Sequence, residues 1–249
     1  MLEIRNLNKS FDGVHAVADF SLSLQPLKIT SLIGPNGAGK TTVFNIITGF
    51  LRQDSGTVLY KGASIDPLSP WKRVRQGVSR TFQNLRLFRK LTVLDNVLLS
   101  RQSQSGERFL NALLLFSEES DEHRHNIDKA LSLLEFVGLV DHQRDFAENL
   151  SYGQQKLLTL ACCLAAEPAI LLLDEPVAGV QPAMVEKITS ILRTLVQERR
   201  KTIFLIEHNI EVVIDVSDTI VVMDEGKKVT EDKPSVIHSN SEILEAYLS

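Results

Sequence analysis

The chain has 249 residues, 43% of them hydrophobic and 23% charged, and a formal net charge of −4. This is the composition of a soluble globular protein, with no basic footprint for generic nucleic-acid binding. The length is near the upper limit for one hydrophobic core, so one large domain with a smaller lobe is expected. The longest apolar run, Leu157 to Ala166, has ten residues and includes Thr159, short of the ~18 that a membrane helix needs. The opening MLEIRNLNKSF has neither the basic nor the apolar region of an export signal. Cys162 and Cys163 are adjacent, which fits no metal or redox motif, and they read as small core residues in a reducing cytosol.

In chain order, "LEIRNL" and "FSLSL" alternate as short strands, with turns at Asp12-Gly13 and Gln25-Pro26. "ITSLI" (Ile29 to Ile33) reads as a buried strand running into a glycine-rich loop. A helix follows from Lys40 to Thr48 and stops at Gly49, and "GTVLYKG" is a further strand. Residues 72 to 148 read as mostly helical. In "LTVLDNVLL" Thr92 and Asp95 have capping-box spacing, and Ile127, Leu131 and Leu134 recur at helical period. Residues 101 to 126 form a polar insertion with an acidic knot, "SEESDE", which reads as a solvated surface segment. From Trp71 to Lys90 there are seven Lys/Arg residues and no acid. That stretch reads as a solvated basic face, or as one that meets acidic groups of a partner or anionic lipid.

Strand and helix then alternate. "AILLLD" is a continuous apolar strand of the kind found in parallel sheets. Met184, Ile188, Ile191, Leu192 and Leu195 mark an amphipathic helix, and "TIFLIEH" and "TIVVMDEG" are two more strands. The fold expected is α/β, with an antiparallel β region at the N-terminus and a helical subdomain inserted at about 85–160 in a single domain spanning 1–249.

"GPNGAGKTT" (Gly34 to Thr42) fits the phosphate-loop pattern G-x-x-x-x-G-K-[ST], after a buried strand and before a helix. Glycines let the backbone curl so that its N–H groups face phosphate oxygens, and the helix N-terminus adds positive potential. Gly34, Asn36, Gly37, Ala38, Gly39, Lys40, Thr41 and Thr42 are therefore candidate nucleoside-triphosphate contacts. Lys40 reaches the β- and γ-phosphates, Thr41 presents a hydroxyl to Mg²⁺, and Thr42 serves the α-phosphate. "ILLLDEP" puts Asp174 at a strand's C-terminal end, where it suits water-mediated Mg²⁺ binding. Glu175 follows as a candidate general base. His208 ends a neighbouring strand, within reach of a γ-phosphate.

Ser151 to Gln154 reads S-x-x-Q, a capping box at the head of an apolar helix. A capped helix start with a glycine two residues in is also an anion site. Together "GPNGAGKTT", Gln83, "LSYGQQ", "ILLLDEP" and His208 resemble the ATP-binding subunits of ATP-binding cassette (ABC) transporters, in order, across essentially the whole chain. The resemblance implies two ATP molecules sandwiched between two head-to-tail subunits. In that arrangement Ser151, Gly153 and Gln154 face the γ-phosphate held by the other subunit's loop. It also implies that Phe11 stacks on adenine with Val17 packing nearby. Gln83 would be the loop residue that senses Mg²⁺ and the attacking water, and "AGVQP" would cross the dimer interface. Tyr152 and Gln181 depart from the family's usual Gly and Asp.

"SRTFQNLRLFRKLTVLDNVL", "EHNIEVV" and the ending "ILEAYLS" are similar to ATPases of branched-chain amino-acid importers. The nearest alternatives are ATPases of lipopolysaccharide export and of urea or short-amide import; a soluble, non-transport ABC ATPase is a different class. The resemblance implies a second ATPase subunit, identical or merely similar, together with transmembrane permease subunits and, indirectly, a substrate-binding protein. It places the chain in the cytoplasm, on the inner face of the cell membrane.

Overall fold

A computed structural model of the chain describes residues 1–81, 87–101 and 121–240, with 122 and 123 through their backbone only. The chain divides into two compact units, Met1–Gln83 with Ala169–Ser249, and Asn84–Pro168.

The first unit holds two sheets. In the antiparallel sheet the order is β2 (Val14–Ser23), β1 (Leu2–Phe11), β4 (Ser55–Tyr60), β5 (Ala63–Ser64). β1 and β2 are joined at Asp12-Gly13, both at positive φ (46° and 87°), which suits the right-handed twist of a two-residue hairpin. The second sheet runs β10 (Lys227–Asp232), β9 (Thr219–Asp224), β3 (Ile29–Ile33), β8 (Thr202–Ile206), β7 (Ile170–Asp174), β6 (Val78–Arg80). Its pairs are parallel apart from β10 with β9. β3, β7 and β8 are buried at every position, because helices and a second sheet cover both faces.

Alternation along the strands sorts the core. Leu32, Val221, Met223 and Phe204 pack with Val43, Phe44 and Ile47 of α1 (Lys40–Ile47) and with the antiparallel sheet. The rings of Phe44 and Phe204 lie 4.9 Å apart between centroids. Ile33, Ile220 and Val222 point the other way and pack on Val213 of α7 (Ile210–Val216) and Ile237 of α8 (Pro234–Ser239). Ile188, Ile191, Leu192 and Leu195 are the buried stripe of α6 (Pro182–Gln197), as the helical period requires.

The register has a functional consequence. Leu32 and Asp174 both pair with Ile206. The loops after β3, β7 and β8 therefore leave from one edge of the sheet, the carboxyl edge where α/β folds hold ligands.

Within the second unit α3 (Val93–Leu99), α4 (Asp121–Val137) and α5 (Tyr152–Ala165) pack on one another. Val93, Val97, Ala130, Leu134, Leu157 and Ala161 are their buried contacts. Thr92 caps α3 through the Asp95 amide at 3.1 Å. Cys162 and Cys163 are free thiols on α5. Burial pushes them up to about 11 and about 12, so neither is a reactive thiolate.

Two expectations need correction. The stretch from 72 is not continuously helical: α2 (Pro70–Gln76) ends at Gly77, which has φ 101°, and β6 then pairs parallel to β7, Val78 with Ile170 and Arg80 with Leu172. Three residues carry too little periodicity to reveal a strand; the pairing with β7 makes it one. The basic stretch is also not wholly solvated. Arg73 is 3% exposed and donates to the carbonyls of Ile46, Ile47, Leu68 and Asp66. It thereby satisfies carbonyls in the last turn of α1. Most of the 101–126 insertion and the ending "ILEAYLS" lie outside the described residues.

Candidate functional site

The glycine-rich loop between β3 and α1 is fixed by what surrounds it. A Cβ on Gly34, at φ 154°, would meet the Met223 carbonyl oxygen at 2.0 Å. At Gly39, with φ 101°, it would meet the Ala16 carbonyl oxygen at 2.1 Å. Backbone packing thus forbids a side chain at both positions, independently of any ligand. Gly39 is the N-cap of α1 and gives the helix no side-chain cap, so no side chain competes there with an anion for the first-turn amides.

Lys40 is buried, and its Nζ donates to the carbonyls of Gly34 and Pro35 at 2.6 and 2.8 Å. Burial lowers its pKa, and the charges of Glu175 and Asp174 oppose the shift. The loop lysine and the acid pair, 134 and 135 positions apart in sequence, are thereby in one electrostatic field. Thr41 is exposed and Thr42 half-buried at the head of α1, while Asn36 and Gly37 are exposed and Ala38 is buried.

Asp174 ends β7 at 4% exposure. Its Oδ2 accepts from Arg80 Nη2 at 2.6 Å, and its backbone N–H donates to Thr81 Oγ1 at 3.3 Å. Glu175 follows in the left-handed region, φ 50°, which is unusual for a residue with a side chain. Its N–H donates to the Ile206 carbonyl at 2.9 Å. Its Oε1 lies 3.1 Å from His208 Nε2. The strained turn and the strand pairing together aim Glu175 at the histidine that leaves the adjacent strand.

Sequence reasoning missed Glu207. Its carboxylate, 2% exposed, accepts from the N–H groups of Val177, His208 and Asn209 at 2.9, 3.1 and 3.4 Å. Burial raises its pKa, opposed by these three hydrogen bonds. It ties the loop after Glu175 to the loop that carries His208. A charged residue at the end of an otherwise apolar strand, "TIFLIE", was the available signal. Arg80 was missed for the reason that hid β6.

Phe11 is 44% exposed, and Lys9 Nζ lies 5.3 Å from its ring centroid. The aromatic face is thus available with a cation beside it. Val17, which the resemblance puts near Phe11 and adenine, lies in the core. It is fully buried in the core, paired with Lys9 across the β1–β2 ladder, and presents no surface to a ligand. Gln83 lies outside the described residues.

In the second unit Ser151 caps α5. Its Oγ accepts from the Gln154 N–H at 3.3 Å, and Gln154 Oε1 accepts from the Ser151 N–H at 2.9 Å. Both halves of the capping box are formed. Gln154 Nε2 is 3.0 Å from His142 Nε2, and His142 Nδ1 is 2.7 Å from Asp145 Oδ2. Ser151 and Tyr152 are exposed and Gly153 is half-buried.

The donor set suits a hard divalent cation. A buried aspartate and a threonine hydroxyl are oxygen ligands of the type Mg²⁺ takes alongside phosphate. Among the described residues no group of three or more His, Cys, Asp or Glu is placed to hold a metal ion by itself.

The family model described as "ABC transporter" matches residues 17–178. The chain is 38% identical over 248 residues to the high-affinity branched-chain amino acid transport ATP-binding protein LivG of Escherichia coli (strain K12), covering 100% of this chain and 97% of LivG. It is 37% identical to the corresponding protein BraF of Pseudomonas aeruginosa, with the same coverage. Among solved structures, an ATP-binding cassette of an ABC transporter in its ADP conformation superposes with TM-score 0.85 at 30% identity, covering 100% of this chain and 98% of that one. A dimeric post-hydrolysis cassette bound to ADP and Pi gives TM-score 0.79 at 25% identity, covering 94% of this chain and 99% of that one. The chain belongs to the ATP-binding cassette family of ABC transporters, with its α/β P-loop fold.

Proposed function

We propose that the protein is the ATP-hydrolysing subunit of a membrane importer of branched-chain or related amino acids. The observation that carries the chemistry is the convergence of Lys40, Asp174, Glu175 and His208 on one edge of the sheet, with Glu175 and His208 3.1 Å apart. The substrate class rests on LivG and BraF, branched-chain amino acid transport proteins to which the whole chain is similar.

In this reading ATP lies along the loop of Gly34 to Thr42, with Phe11 against adenine. Lys40 and the first amides of α1 balance the phosphate charge. Asp174 and Thr41 would hold Mg²⁺, which would supply charge neutralisation for the bound phosphates. Glu175 accepts a proton from water as the water oxygen bonds to the γ-phosphorus. The bond from that phosphorus to the β,γ-bridging oxygen breaks, and ADP and phosphate leave. His208 holds Glu175 in position and faces the γ-phosphate. Gln83, by resemblance, reads the metal and water.

Ser151, Gly153 and Gln154 complete the site of a second cassette subunit, whose own segment completes this one. Closure of that pair moves permease subunits. Among the described residues no helix is long and apolar enough to cross a membrane, which supports a peripheral place beside such subunits at the inner face.

The test is a pull-down of tagged protein from detergent-solubilised host membranes, paired with uptake of labelled leucine, isoleucine and valine in a disruption strain. Recovery of a multi-span permease and loss of uptake are expected. Recovery of soluble partners, ribosomes or DNA alone contradicts the transporter reading. Normal uptake with a permease recovered contradicts only the substrate.

A further inference from the structure

We propose that Arg80 is the resident counter-ion of Asp174. On this view it is a positioning residue that holds the buried carboxylate in place and limits how tightly the site takes Mg²⁺. The second half rests on the reading of Asp174 as a metal-serving residue; the first does not.

The two side chains are almost wholly buried, 5% exposed for Arg80 and 3% for Asp174, with Nη2 and Oδ2 2.6 Å apart. Arg80 is held from other sides too. Its Nη1 donates to Asn45 Oδ1 at 2.6 Å, and Asn45 lies on α1, the helix that opens with the phosphate loop. Its guanidinium carbon lies 5.5 Å from the centroid of Phe44, also on α1. Its backbone is pinned by β6: Arg80 pairs with Leu172, and the next residue, Thr81, donates from N–H to the Leu172 carbonyl at 2.9 Å and accepts from the Asp174 N–H. One guanidinium therefore ties the metal-serving strand to the phosphate-loop helix.

Charge burial gives the arrangement its consequences. Neither ion at this depth is adequately solvated, and each is tolerable because the other compensates it. Removing the arginine leaves the buried carboxylate beside α1 without its contacting cation. It also raises the negative potential that a divalent cation meets there, because a fixed positive charge next to a carboxylate competes with any metal for the same field. The planar fork matters as well: a lysine supplies charge to Asp174 but does not reproduce the fixed two-armed reach to Asp174 and Asn45.

The experiment uses the full chain and four proteins: wild type, Arg80→Met, Asp174→Asn and the double variant. Thermal unfolding without nucleotide is the first readout. Arg80→Met should lower Tm on the order of 10 °C, and the double variant should lie well above the sum of the single losses. Additive losses overturn the counter-ion role. The second readout is the Mg²⁺ concentration at half-maximal response of a bound fluorescent ATP analogue. Arg80→Met should lower that midpoint about three- to tenfold, while Arg80→Lys stays near wild type. An unchanged or raised midpoint in Arg80→Met overturns the limit on Mg²⁺. If Asp174→Asn leaves the midpoint unmoved, the metal reading of Asp174 fails, and the unfolding cycle still decides the counter-ion role. Should Arg80→Met not fold, the neutral Arg80→Gln carries the same cycle with Asp174→Asn, and additivity again overturns the proposal.

Discussion

At the start of α1 the backbone is locked by its surroundings; at the start of α5 the chain closes itself with its own side chains. Gly34 and Gly39 have backbone carbonyls 2.0 and 2.1 Å from where a Cβ would stand, and α1 has no side-chain cap. Ser151 and Gln154 instead satisfy each other, at an exposed helix start. The amides and Lys40 of the first are held by packing that exists without a ligand, which is the preorganisation the proposed phosphate site needs. The second is a finished helix end that keeps an exposed serine, a glycine and a tyrosine on its surface. Such a surface suits a site that another molecule completes.

Changes at the two helix starts, and at the acid beside the first, break or sharpen that contrast. The largest effect is expected where chemistry is done. Glu175→Gln should slow ATP hydrolysis at least ~100-fold while keeping nucleotide affinity. Phosphate release and fluorescent-nucleotide titration measure the two, and a wild-type rate removes Glu175 from the base role. Next comes the glycine comparison. Gly39→Ala collides with Ala16 and should cost about 2–4 kcal/mol of stability along with nucleotide binding. Gly153→Ala, within α5, should leave stability unchanged or raise it by up to ~1 kcal/mol and lower hydrolysis only. If both glycines behave alike in urea unfolding, the contrast is wrong.

Ser151→Ala removes a cap and should cost about 1 kcal/mol. It should leave nucleotide affinity of the isolated chain intact and depress hydrolysis beyond what that stability loss explains. The smallest effect concerns Glu207. Its folded pKa lies above the usual glutamate range because of burial. Its contribution is therefore fully present below the unfolded value and lost as pH rises through the folded one. Relative to Glu207→Gln, wild-type stability should fall as pH climbs through that window, read from urea midpoints. A difference that grows with pH contradicts the sign.

The phosphate loop, the acid pair and the Ser151 box are legible in the sequence because each is local. A loop between a buried strand and a helix, a carboxylate at the end of an apolar run, and a reciprocal cap three residues apart need no distant partner to be recognised. Val17 was named on the resemblance alone, and in the fold its side chain faces the core. β6, Arg80 and Glu207 were not legible, for one shared reason. The strand exists through its pairing with β7, and the two charges become buried only through partners 94 and up to 30 positions away. In the sequence Arg80 is one basic residue in a basic stretch. In the fold it is a buried ion that faces an aspartate.

The central claim is that two cassettes complete each other's sites, and mixing tests it most directly. Lys40→Ala and Ser151→Ala should each be nearly inactive alone. Mixed in equal amounts they form pairs in which one site has an intact loop from one subunit and an intact Ser151 from the other. Recovery of about a quarter of the wild-type rate is then expected for a two-fold symmetric pair. A mixture no more active than the two variants measured separately contradicts the account.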